Sequence, residues 1–164
     1  MPRKSLTTSE QVLTALADTP PRIAALTAGL GPDHLHATPG DGGWSAHEVL
    51  AHLRACADVW GACITAMIAQ DTPTLRAVDP RTWIKKTDYL DQDFRPSLHA
   101  FAMQRTELLA VLEPLEPDGW ARAATVTGAG KPLERTVLFY ARWMAGHEGT
   151  HLKQLDRIVT TLRR

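Results

Sequence analysis

Towards its end the chain places Val137, Tyr140, Met144, His147, His151, Leu155, Ile158 and Leu162 at steps of three and four. That period is one face of an α-helix, and a long helix with a single apolar stripe must bury it against neighbouring elements. Two of the stripe positions are histidines. Four residues apart, they differ by about 40° in direction and roughly 6 Å along the axis, so they project from one face. Imidazoles where the stripe calls for apolar side chains need partners, because an unpaired buried polar group costs on the order of 1–3 kcal/mol. A metal ion gripped by both is one way to supply them.

The same stretch reads His147-Glu148-x-x-His151, the zincin metalloprotease signature with Glu148 as candidate general base. Zincins take their third ligand from downstream. Here thirteen residues follow His151, none of them His or Glu, and Asp156 is too close on the same helix. If the two histidines hold a metal, the third ligand comes from upstream.

Upstream, Ser45 with Glu48 three later is a capping box, and Trp44 before it can staple onto Val49. The helix that opens there is expected to run to about Gln70, with a stripe of Val49, His52/Leu53, Cys56, Trp60, Cys63/Ile64 and Met67. His52 falls on that stripe with apolar positions one turn either side, the same anomaly as in the last helix. Residues 7–30 predict a first helix in two pieces, or one helix kinked at Thr19-Pro20-Pro21, because proline fits a first turn and breaks an interior. Residues 93–113 predict a third, with Leu98, Phe101, Ala102, Arg105, Leu108, Leu109 and Leu112, stopped by Pro114 and Pro117.

The connections are long. Residues 31–44 read as a loop holding His34 and His36 as exposed histidines, and His99 reads as a rim residue of the third helix. Residues 71–91 read as a connection with a short helical turn near Arg81–Ile84, which packs on the body or rims a pocket through Trp83, Ile84 and Tyr89. Residues 119–131 form a loop in which Thr125-Val126-Thr127 reads as a short extended piece or hairpin, and Pro132 suits the first turn of the last helix. Four helical patterns with such connections predict an all-α antiparallel four-helix bundle with long loops, one domain over residues 1–164.

Eighteen basic and eighteen acidic side chains leave no net charge and no basic tract with interleaved aromatics, so nucleic acid is not an expected partner. The polar start, Met1–Glu10, has no signal-peptide run, and no stretch is apolar over the length of a spanning helix. A cytoplasmic protein without a membrane partner is expected. Cys56 and Cys63 lie seven apart on one helix, roughly 10 Å, which is too far for a disulfide. They read as buried, reduced thiols.

In a bundle, His52 of the second helix meets His147 and His151 of the last. Three neutral imidazoles at about 2.0–2.1 Å leave a fourth position for water or substrate, the pattern of catalytic zinc. Water held there has its pKa lowered toward 7, and a thiol would be held as thiolate. Glu148 either serves as base or, about 100° round from His147, faces the second helix or solvent. Cys56 either approaches the metal or, as we favour, fills the core. Gln154 either orients a ligand histidine or lies on the surface. Gly146 and Gly149 each cost about 1 kcal/mol against alanine. They signal room for a ligand or helix near the metal, or close packing unrelated to chemistry. A di-iron carboxylate bundle would need two Glu-x-x-His motifs and two further glutamates, and only Glu148-x-x-His151 qualifies.

Two stretches, Gly43-Trp44-Ser45-x-x-Glu48-Val49-x-x-His52-Leu53 and His147-Glu148-x-x-His151-Leu152-x-Gln154-Leu155, together resemble the DinB-like, or YfiT-like, metalloenzymes. The likeness extends to helix order and loop placement over nearly the whole chain. The resemblance implies a four-helix bundle whose metal ligands map onto His52, His147 and His151, holding one divalent ion, zinc or nickel, and a homodimer. It implies a small-molecule substrate, acted on by a hydrolase that activates water or by a transferase that activates a low-molecular-weight thiol. The competing class is a non-enzymatic metal- or small-ligand-binding stress-response protein. An open metal position in a pocket lined by Trp60, Met67 or Trp143 would favour the enzyme.

Overall fold

A computed structural model describes residues 7–40 and 42–164; the first six residues of the polar start, and Asp41 of the first loop, lie outside them. Four long helices carry the fold: α1 (Ser9–Leu26), α3 (Ala46–Ala69), α5 (Phe94–Leu112) and α7 (Val137–Leu162). Between them lie the short helices α2 (Pro32–Leu35), α4 (Pro80–Trp83) and α6 (Pro117–Trp120), two 3-10 turns, and the strands β1 (Thr74–Arg76), β2 (Ala123–Thr127) and β3 (Leu133–Thr136). The helices pack as α1 on α7, α7 on α3, α3 on α5 and α5 on α1. The consecutive long helices α1 and α3 therefore occupy diagonal corners of the bundle.

Helix α3 begins at the expected capping box, with Ser45 and Glu48 satisfying each other's backbone N–H groups. Helix α1 has the same device at Thr8 and Gln11. It runs through Pro20-Pro21 as one continuous helix, so the two-piece reading is corrected. Pro20 has no N–H to give to the carbonyl of Leu16. Arg105 Nη1 from α5 donates to that oxygen instead, at 2.8 Å.

The last helix starts five residues later than Pro132 suggests. Leu133–Thr136 pair antiparallel with β2, and Thr136 caps α7 by accepting from the Phe139 N–H at 3.0 Å. Gly128 and Gly130, at φ 90° and 89°, supply the left-handed turns of this hairpin. Strand β1, in a segment read from sequence as a connection with a short helical turn, pairs parallel with β2 at Thr74↔Thr125. Ala124 and Val126 point inward from β2 and close one end of the bundle. Trp83 Nε1 donates to Asp58 of α3 at 3.0 Å, Tyr89 donates to the same carboxylate, and Arg54 lies over the Tyr89 ring, which pins residues 80–91 to the body as expected.

The core is divided. One apolar cluster gathers Val12, Leu16, Ile64, Leu112, Val137 and Met144 at the sheet end; the other gathers Ile23, Leu50, Phe101, Leu152 and Leu155. Between these levels, Thr19, Arg105 and Glu148 are buried, so a polar layer crosses the bundle. Among the described residues, no helix is long and apolar enough to cross a membrane.

Candidate metal centre

The face of the polar layer between α3 and α7 holds His52, His147 and His151. One ligand nitrogen from each lies within 4.8 Å of the others. His147 Nε2 is 3.2 Å from His52 Nε2 and 3.1 Å from His151 Nε2. Two metal–nitrogen bonds of about 2.0–2.1 Å at a tetrahedral angle put their nitrogens roughly 3.3–3.4 Å apart. The rings thus stand near ligation geometry. Among the described residues no cysteine, aspartate or glutamate joins the set.

The chemistry of the donors fits an ion. Burial first, then the neighbouring His151 and His52, pulls the His147 pKa from 6.5 down to about 4. Burial, then the charges of His151 and Arg81, does the same to His52. Both rings are neutral at pH 7 and have a lone pair to give. His151 Nδ1–H donates to Gln154 Oε1 at 2.7 Å, which turns the Nε2 lone pair towards the other rings. His147 Nδ1 is buried without a hydrogen-bond partner, so nothing opposes the Nδ1–H tautomer that ligation through Nε2 requires. Without a cation, lone pairs on converging nitrogens repel, and one N–H on His147 Nε2 has two acceptors to serve.

Gln154 therefore acts on His151, as one of its two sequence readings has it. The substitution Gln154→Leu is expected to weaken metal affinity by about 10–100-fold, measured by competition with a chromophoric chelator. An unchanged affinity would remove that role.

Tryptophans wall the histidines. Trp44, given by sequence the duty of a staple, stands 5.1 Å from His52 and 6.1 Å from His151, parallel to the latter within 6°. Trp60 meets His147 edge-on at 5.0 Å and Trp143 at 6.1 Å. Met67, expected at a pocket, is fully buried in the sheet-end core. Cys56 is buried, with Sγ 3.5 Å from His52 Nε2, and burial ahead of the Glu148 and Asp79 charges pushes its thiol pKa up to about 12. It stands beside the ligand set as a protonated thiol. Both cysteines are free. His34, His36 and His99 are exposed and take no part, His36 stacking on buried His47.

Glu148 faces neither α3 nor solvent. It turns to α1 and α5, where Oε1 accepts from Thr19 Oγ1 at 2.9 Å and from Arg105 Nη1 at 2.7 Å, and Oε2 accepts from Arg105 Nη2. Sequence reasoning missed these partners, although the charged Arg105 on an otherwise apolar stripe was the available signal. Close packing does not explain the α7 glycines, since a Cβ added at Gly146 or Gly149 would meet nothing within 4 Å. Gly149 borders a recess against α1, and Gly146 a second one beside His147.

The sequence profile of the DinB superfamily matches residues 15–155. A protein of Geobacillus thermodenitrificans (strain NG80-2) named "Putative metal-dependent hydrolase" is 24% identical over 153 residues, covering 88% of this chain and 82% of that one. The solved structure of YfiT from Bacillus subtilis, described as a probable metal-dependent hydrolase with an unusual four-helix bundle topology, superposes with a TM-score of 0.73 at 20% identity. That alignment covers 96% of this chain and 91% of YfiT.

Proposed function

This chain belongs to the DinB superfamily, and on that footing we propose that it is a metal-dependent hydrolase of small molecules whose one divalent ion is held by His52, His147 and His151. The observation that carries the reading is the convergence of three imidazole nitrogens, two of them at 3.1 and 3.2 Å from the third, with no carboxylate or thiol of the described residues in the set. Such a donor set suits zinc or nickel and leaves coordination positions open. Held by His52, His147 and His151, such an ion would supply Lewis acidity and activate a water nucleophile near neutral pH.

The chain's own residues do the rest. Gln154 keeps the proton of His151 on Nδ1, and Trp44 and Trp60 brace the rings and keep bulk water from two sides. Glu148 is a structural anchor and not the base, because both its oxygens are occupied by Arg105 and Thr19. The hydrolase names of the two relatives favour water over a thiol as nucleophile.

Zinc-loaded protein is expected to hydrolyse 4-nitrophenyl acetate at least tenfold faster than the same protein stripped with a chelator. Equal rates with and without metal would refute the hydrolase reading. A rate that requires added cysteine would replace it with thiol transfer.

A further inference from the structure

Beside the histidines, on the outer face of α7, lies a recess of about 520 Å³ lined by Phe139, Arg142, Trp143, Gly146, His147 and Thr150. His147 belongs both to this lining and to the ligand set, so recess and metal centre share a wall. From that ring an aromatic wall runs outward. Trp60 stands edge-on to His147 and to Trp143, and Phe139 stacks on Trp143 at 6.4 Å and 12°. Trp143 is 54% exposed although its ring packs against Trp60 and Phe139, which leaves a large apolar surface open to solvent.

Gly146 lies on the floor of the recess. Glycine inside a helix costs about 1 kcal/mol against alanine, and no neighbour demands it, because a Cβ there meets open space. The glycine leaves the space beside Trp143 unfilled by a side chain. The charge of the recess has one sign. Arg142 is the charged residue in the lining, no carboxylate lines it, and Arg135 adds a second cation over the Phe139 ring at 4.2 Å.

We propose that this recess is the substrate-recognition site and takes a small anionic molecule with a flat apolar body. The apolar body lies on Trp143 over Gly146, and the anionic group turns towards Arg142. The proposal rests on the hydrolase reading and adds the substrate class to it, since a molecule seated here touches His147, a member of the histidine cluster. A second copy of this chain is a poorer occupant. An isologous contact through this face would bring the Arg142 and Arg135 side chains of both copies together with no carboxylate of the recess between them.

The test is calorimetric titration of zinc-loaded protein with 2-naphthoate, with neutral 2-naphthalenemethanol and with acetate. Metal content is measured on the same samples. Naphthoate is expected to bind once per chain, at least fivefold more tightly than the alcohol, and acetate too weakly to measure. Trp143→Ala should weaken naphthoate at least tenfold, Arg142→Gln should reduce it to the level of the alcohol, and Gly146→Leu should block it without loss of metal. Because His52 does not line the recess, binding should persist in His52→Ala, so a failure of the metal reading and a failure of this one are separable. Equal affinity for acid and alcohol, or indifference to Trp143→Ala and Gly146→Leu, would overturn the proposal. So would naphthoate binding that vanishes on metal removal and ignores Arg142→Gln, which is direct coordination. Sedimentation velocity showing a dimer that Trp143→Ala dissociates would give the face to a second copy and overturn it as well.

Discussion

Replacing Glu148 with alanine is expected to cost about 3–5 kcal/mol of folding stability, lowering Tm by roughly 6–20 °C for a chain of this size. The Arg105 and Glu148 side chains are 3% and 2% exposed, and each is fully engaged, the arginine by the carboxylate and by the Leu16 carbonyl, the glutamate by the arginine and by Thr19. Removal of either partner strands a charge between two apolar clusters. Arg105→Ala should be as damaging, since it also exposes the Leu16 carbonyl that Pro20 leaves without a donor. The double change Arg105→Met with Glu148→Leu should cost less than either single change, because it strands no charge. Urea unfolding of the three variants decides the matter. A Glu148→Ala protein as stable as the wild type but catalytically dead would make the glutamate a base after all.

The second large effect belongs to the metal. Zinc at 100–1,000 times its dissociation constant should stabilise the protein by about 2.7–4.1 kcal/mol, seen as a rise in Tm. His52→Ala, His147→Ala and His151→Ala should each abolish that rise. In metal-free protein the same changes should stay within about 1 kcal/mol of wild type, because the half-buried rings crowd one another and one N–H on His147 Nε2 cannot satisfy both neighbours. A metal-induced rise that survives any one of the three would remove that histidine from the ligand set.

Much of this arrangement was legible in the sequence. The stripes of α3 and α7 brought three half-buried histidines together where the two helices meet, and the capping box at Ser45 fixed where α3 begins. These are local signals, set by spacing along one helix. What stayed hidden depends on partners far along the chain. Pro20 reads as a breaker until Arg105, 85 residues on, supplies its missing bond. Glu148 reads as a base, or as facing α3 or solvent, until the same arginine is found across the bundle. Leu133–Thr136 read as the first turn of a helix because Pro132 suits one, yet pairing with β2 decides their conformation. Strand β1 has no period of its own over three residues and exists through its register with Thr125–Thr127. The choice between the two readings of Gln154 depended on where one side chain points, towards His151 Nδ1.

The most direct measurement is elemental analysis of untagged protein beside its His52→Ala variant, after incubation of both with zinc and nickel salts and removal of excess. The account predicts one zinc or nickel per chain in the wild type and none in the variant, because His52 is the ligand that α3 contributes to the pair on α7. Absence of metal from the wild type, with no change in stability on substitution, would contradict it. The three histidines would then be hydrogen-bonded core residues, and the hydrolase reading would fall with the ion.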